Sequence, residues 1–450
     1  MIIQRDYGNS PAQHQSWMGI VDFLNKNARN IALGATFLVP LGLLHLFVLA
    51  EICIGLTDIL FLAEMARTRQ TGWAKQPWFI VTMLWWAWTL VCATPIPALG
   101  LITAGWVESF FQVLVIIRFI IFIVALQSWV LTTPRSRHIL WMLIAFSILW
   151  IGLESWQQLL TGANIFGNRR FGDGALTGPF WKPRAGDLYG HLLFTALLPP
   201  LLAIFAKKYL HWRLAGAALL ILGVVTSVLI GQRMGTAFTL LGLVSAAVFI
   251  PNLRKLAVGA VIMAGIILAL TPIISPPTYG KLVGETSRQV NHYSQSPYGE
   301  LETRAVVMGL QSPIHGWGYN GFRAFCPQDR FNVGLPAVNI PPTQLGLGAC
   351  NLHPHNFYLQ ALSDAGFPGL ILFILMNIFW LREMFKGIWG SNDAIRIGLF
   401  IGVLTFAWPI ASTDEFPTLY LPGWLFLILG LGFAHTYMSV SVVSPELKNV

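Results

Sequence analysis

Residues 350–369 read C-N-L-H-P-H-N-F-Y-L-Q-A-L-S-D-A-G-F-P-G, a polar loop with two histidines that turns at Pro354 and runs straight into a hydrophobic segment. That order puts His355 and Asn356 on the first turn of a membrane-spanning helix, at the membrane surface. Histidine titrates near neutral pH, so His355 is a candidate to take a proton from a reacting hydroxyl, a contribution worth about 10²–10⁴-fold when well placed. A capping or interfacial role is the simpler alternative for a histidine at a helix end. Asn356 can orient a hydroxyl or cap the helix, while Tyr358 and Leu359 share the His355 face and are expected to line any cleft there. No metal or other cofactor is expected. His353 and His355 lack a third ligand, and the acids on their side of the membrane are dispersed, with no Asp-x-Asp pair.

The elements that must hold these residues are helices in a bilayer. Of 450 residues, 55% are hydrophobic and 10% charged, and the mean hydropathy is +0.64. This excludes a soluble globular domain and implies an all-α, polytopic integral membrane protein with about 12 transmembrane helices. Residues 1–30 read as a cytoplasmic tail, 31–275 as transmembrane helices 1–9, and 276–354 as one long periplasmic loop. Residues 355–438 read as helices 10–12 and 439–450 as a second cytoplasmic tail. The first two helices are expected to form a tight hairpin around Pro40 and Gly42. The loop is too long for a plain connector and is expected to carry structure of its own, including a helix over 298–311 with Leu301, Ala305 and Met308 on one side and Arg304 near its edge.

Orientation follows from the basic residues. Arg67, Arg69 and Lys75, then Arg135 and Arg137, Lys207, Lys208 and Arg213, Arg254 and Lys255, and Arg382, Lys386 and Arg396 fall in alternate connections. The opposite short connections at 94–105 and 412–416 carry no Lys or Arg, so the positive-inside rule puts both termini in the cytoplasm. The remaining cations are exceptions on the outer side: Arg169, Arg170, Lys182, Arg184, Arg233 in G-Q-R-M-G, and Lys281, Arg288, Arg304, Arg323 and Arg330 in the long loop. Cations placed against the topological bias suggest a bound anion, and arginine offers planar, bidentate, permanently charged recognition of phosphate. The net charge of +9 forms no basic stripe, so membrane lipids and an anionic lipid substrate are the expected partners and nucleic acid is not. Within the spans, Arg118 has Glu51 and Asp58 as possible partners, either as a structural ion pair or with a role near a lipid phosphate.

Of the four cysteines, Cys53 and Cys92 lie in apolar runs, while Cys326 and Cys350 lie in the long polar loop. If that loop is periplasmic, the latter two can form a disulfide, worth about 3–4 kcal/mol in the chain-entropy model; a pair of free thiols is the alternative.

From His355 the order His-Asn, nine residues, Gly366, two residues, Gly369 resembles the H-[NSQ]-x9-G-x-x-G signature of the bacterial O-antigen ligase and O-antigen polymerase superfamily. Upstream, Arg304, Pro313, Gly316, Gly318 and Phe322 resemble the stretch that precedes this signature in the superfamily. Gln232-Arg233-Met234-Gly235 is similar to its serine-arginine-glycine turn, with Ala237 in place of leucine. Residues 177–193 resemble its entry to the middle span. The resemblance implies transfer of a polysaccharide from undecaprenyl diphosphate to an acceptor hydroxyl on the periplasmic face of the inner membrane, without a metal and with inversion. It implies His355 as base, Arg233 and Arg304 as first ligands of the donor diphosphate, with Arg170, Lys182 and Arg184 next. Gly366 and Gly369 would permit close helix approach. The acceptor would be lipid A-core oligosaccharide in a ligase and a second lipid-linked repeat unit in a polymerase. A transporter of the lipid-linked glycan is the alternative from another class, but it calls for charge along an inner pathway, commonly with internal repeats, and no repeat is visible here.

Overall fold

A computed structural model describes residues 11–95, 106–343, 350, 353–410, 415–416 and 418–443, with side chains from Asn27 to Tyr437. The described residues are mostly helical: α1 Pro11–His45, α2 Phe47–Thr68, α3 Pro77–Cys92, α4 Trp106–Ala125, α5 Pro134–Thr161, α6 Ala185–Phe205, α7 Leu210–Ile230, α8 Arg233–Phe249 and α9 Arg254–Ile274. Then come the short α10 Pro276–Tyr279 and α11 Thr286–Asn291, α12 Pro297–Gln311, the short α13 Gly321–Phe325, α14 Phe357–Phe385, α15 Ala394–Phe406 and α16 Pro422–Val443. Among the described residues the only β pairings are two isolated bridges, Ala163 with Arg169 and Leu335 with Ile340.

Seven segments among the described residues are long and apolar enough to cross a membrane, on α1, α4, α5, α6, α7, α9 and α14. Three shorter apolar helices, α3, α8 and α15, pack among them. The chain is therefore a multi-pass membrane protein. Several helix starts are capped by side chains. Thr133 accepts from Ser136 N ahead of Pro134, Ser296 accepts from Gly299 N ahead of Pro297, and Asp393 accepts from Arg396 N. Helix α1 begins at Pro11 and α16 runs to Val443, so both extend into segments expected as tails. The first two helices form a hairpin, but it turns at Leu46, with Pro40 and Gly42 inside α1 and a Cβ on Gly42 only 2.6 Å from Ala50 N. The connections expected at 94–105 and 412–416 lie largely outside the described residues.

Helix α6 is the hub, buried on nearly every side over its first half. An apolar helix of this kind needs neighbours all round, and glycines bring them close. A Cβ on Gly190 would sit 2.4 Å from Gly235 O of α8, and one on Gly398 of α15 would sit 2.7 Å from Phe194 O. His191 of α6 is packed into this seam, its ring 4.1 Å from that of Phe238 and 3.9 Å from that of Phe406. At the end expected to face the cytoplasm, Arg137 donates to Leu131 O and Thr132 O, and Arg396 to Lys386 O, covering carbonyls left open by helix ends.

The segment 276–354 carries structure of its own, as α10–α13 and several single turns. Its core is a satellite cluster of Leu301, Ala305, Val307, Met308, Trp317, Phe322, Cys326 and Phe331.

Candidate active site

The geometry of the histidine segment is set by a break in α14. Gly366 sits at φ 67°, ψ −168°, a conformation open only to glycine, two residues before Pro368. A broken helix exposes its last carbonyls, and here all three nearest the break are covered. Trp317 N donates to Ser363 O at 2.8 Å, Gly318 N to Asp364 O at 3.0 Å, and Trp88 Nε1 to Ala365 O at 2.9 Å. In return Phe367 N donates to Pro313 O at 2.7 Å. Gly316, at φ 62°, lies so close that a Cβ would be 2.5 Å from Ala365 N. The glycines of the two motifs thus dock loop backbone on helix backbone. Gly366 meets Ile314 and Pro313 of the loop, and Gly369 packs on Ala365 of its own helix and Trp88. This corrects the expectation of helix-on-helix approach at Gly366.

At the start of α14, Asn356 is the cap, accepting from Tyr358 N at 2.9 Å and Leu359 N at 3.1 Å. Its Nδ2 donates to Pro409 O at 2.8 Å. Tyr358 does not line a cleft with His355: its hydroxyl donates to Ala407 O at 2.6 Å and ties α14 to the end of α15. Leu359 turns to the satellite cluster. His355 itself has φ 56°, an uncommon backbone for a residue other than glycine or asparagine. Its Nδ1 lies 3.2 Å from Nε2 of His353, which is buried. Across from it stands Tyr298, at the start of α12, with ring centroids 5.5 Å apart and nearly perpendicular planes.

Tyr298 joins the histidine to an expected cation. The Arg233 guanidinium lies 5.8 Å from the Tyr298 ring centroid, and Arg233 Nη1 donates to Gln289 Oε1. Neighbouring Gln232 donates to Pro183 O and accepts from Asp187 N at 3.1 Å, which draws the turn carrying Lys182 and Arg184 towards the start of α8. Lys182 is exposed over the Trp181 ring, and Arg184 lies between the rings of Tyr420 and Phe47, at 4.3 Å and 5.3 Å. Sequence reasoning selected Arg233, Lys182, Arg184 and His355, but passed over Tyr298. Nothing in its local pattern marks it, because only the fold brings the starts of α8, α12 and α14 together.

Two expected ligands are placed differently. Arg304 is 2% exposed and inside the satellite cluster, not near its edge. It donates from Nε to Thr343 Oγ1 at 3.0 Å, and from Nη1 to Cys326 O at 2.8 Å and Cys350 Sγ at 2.9 Å. Cys326 and Cys350 form a disulfide, with Cα atoms 5.8 Å apart. Burial holds the Arg304 pKa below the usual guanidinium value, against the opposing pull of Glu300 and Asp329. Arg170 is likewise engaged, donating to Gly174 O and Ser275 Oγ, both at 2.9 Å, and its pKa is also lowered by burial. These two arginines hold loops in place. Arg118 pairs with Glu51 through both carboxylate oxygens, at 2.7 Å and 2.9 Å, as a bidentate link between α4 and α2. Among the described residues no three His, Cys, Asp or Glu side chains gather as a metal site would require.

Residues 217–374 match the protein family model described as O-antigen ligase. The matched stretch runs from within α7 to beyond Gly369, so it contains Arg233, Tyr298, Arg304, the disulfide and His355, while Arg170, Lys182 and Arg184 precede it. No curated protein matches the chain.

Proposed function

We propose that this chain, whose residues 217–374 match the O-antigen ligase family, transfers a polysaccharide from undecaprenyl diphosphate to a sugar hydroxyl of lipid A-core oligosaccharide. The reaction takes place at the periplasmic face of the inner membrane, with both termini in the cytoplasm and about twelve helices crossing the bilayer. The observation that carries this reading is the row Arg233, Tyr298, His355, in which a permanent cation and a titratable base flank one aromatic ring.

Each member has a distinct task. The leaving diphosphate gains charge as the bond from the anomeric carbon to its oxygen breaks. Arg233, with Lys182 and Arg184 on the adjacent turn, meets that charge where contacts strengthen as it develops. The acceptor oxygen forms the new bond to the anomeric carbon from the opposite face, and its proton passes to His355. The departing diphosphate keeps the electron pair of the broken bond. A single displacement of this kind inverts the anomeric centre and asks for no metal. Tyr298, between cation and base, offers an apolar wall for the first sugar of the donor.

The test is long-chain glycan attachment to lipid A-core in a ligase-deficient host, comparing wild type, His355→Ala and Arg233→Ala at matched membrane abundance. Restoration by wild type alone supports the reading. If wild type leaves the core uncapped yet lengthens lipid-linked glycan in a polymerase-deficient host, the acceptor assignment falls and the chain is a polymerase. Activity in neither host, with lipid-linked glycan crossing the membrane, would indicate a transporter.

A further inference from the structure

His353 has no task in the reaction above, yet it is buried against His355. Its Nε2 lies 3.2 Å from His355 Nδ1, with ring centroids 4.4 Å apart and planes 67° apart. Pro354 sets the turn that brings the two rings together, and the left-handed backbone of His355 shows that its surroundings dictate its pose. Asn356 then fixes the following turn by capping α14.

A hydrogen bond between two neutral imidazoles needs one N–H and one lone pair, so it couples their tautomers. If His353 donated, His355 would spend its lone pair at Nδ1 and carry hydrogen on Nε2. It could then give a proton to a substrate oxygen but not take one. If His355 donates from Nδ1, its lone pair is on Nε2 and the ring can act as a base. We propose that His353 is a positioning residue, accepting from His355 Nδ1–H and thereby fixing the base tautomer and the plane of the His355 ring. Once His355 takes the acceptor's proton, the same bond shares the positive charge with His353. Among the described residues Tyr298 also faces His355, with Arg233 behind that ring. The inference rests on the assignment of His355 as base.

The experiment uses the full-length protein in detergent or nanodiscs, with a polyprenyl-diphosphate glycan as donor and purified core oligosaccharide lipid as acceptor. It compares wild type, His353→Gln, His353→Leu, His353→Glu and His355→Ala, recording kcat, acceptor KM, thermal stability and the pH profile. His353→Gln, which still offers an accepting oxygen, is expected to retain most of kcat. His353→Leu is expected to lose about 10–100-fold in kcat with KM unchanged. His353→Glu can only accept, and its carboxylate favours the protonated imidazole, so the acid limb of the pH profile should move to higher pH. Wild-type kcat in His353→Leu overturns the proposal, as does an equal loss in Gln and Leu that tracks thermal stability. If the Leu variant does not fold, the Glu variant decides, and an unmoved acid limb overturns it. Full activity in His355→Ala would overturn the base assignment itself, whereas an inactive His355→Ala beside a fully active His353→Leu overturns only the role of His353.

Discussion

Arg233 and Arg304 are the same residue type, both among the cations that the sequence pattern assigns to the outer side, and the fold uses them in different ways. Arg233 stands at the start of α8 with its guanidinium over Tyr298 and one donation to Gln289. Arg304 is enclosed in the satellite cluster and directs its donors to Thr343, Cys326 and Cys350. An arginine whose donors already serve buried acceptors stabilises the folded state, and moving it to a ligand would leave those acceptors unpaired. An arginine at a rim keeps charge available for a transient anion. On the proposed function, the difference separates a mouth, formed by Arg233, Arg184, Lys182, Tyr298 and His355, from a scaffold formed by Arg304, Arg170 and the disulfide. The scaffold still matters for chemistry, because Cys350 lies just ahead of the histidine pair in the chain.

The separation can be sharpened by substitution. The largest effect is expected at the mouth: His355→Ala should lower the transfer rate by about 10²–10⁴-fold with unchanged thermal stability, measured by single turnover on purified protein. Next is the scaffold. Replacing Cys326 and Cys350 together by serine should cost about 3 kcal/mol of stability, seen as a lower unfolding temperature in detergent, and only the folded fraction should remain active. Arg170→Ala should cost about 1–3 kcal/mol by stranding Gly174 O and leaving Ser275 Oγ with Thr278 alone, with the transfer rate per folded molecule retained. Smallest is Lys182→Ala, an exposed cation whose loss should weaken donor binding in a salt-dependent way worth about 1 kcal/mol or less. A large loss of chemistry in Arg170→Ala, or of stability in His355→Ala, would break the division.

Much of the site was legible because it is local. His355, its cap Asn356 and the turn at Pro354 are neighbours in sequence, and the order of residue types states their geometry. The disulfide was legible as a possibility because only Cys326 and Cys350 of the four cysteines fall in the polar segment, although thiols remained open until the fold brought them together. The break in α14 was signalled by G-F-P-G, since glycine permits the reversed backbone and proline disfavours helix before it, but hydropathy alone reads through it. Burial of Arg304 was not legible. Its helix was expected with an apolar face and Arg304 at the edge, and only the chain around 317–343 folding back over that edge encloses it. Tyr298 was not legible for a related reason, as its neighbours Arg233 and His355 come from distant helices.

The most direct test compares Arg233→Ala with Arg304→Ala in one preparation, recording single-turnover glycan transfer and thermal unfolding for each. Arg233→Ala is expected to lose about 10²–10³-fold in transfer with the unfolding temperature of wild type. Arg304→Ala is expected to lose about 1–3 kcal/mol of stability while its folded fraction transfers glycan at a rate near that of wild type. The reverse pattern, a stable Arg304→Ala without transfer beside an active Arg233→Ala, would contradict the assignment of Arg233 to the diphosphate and return Arg304 to the reacting centre.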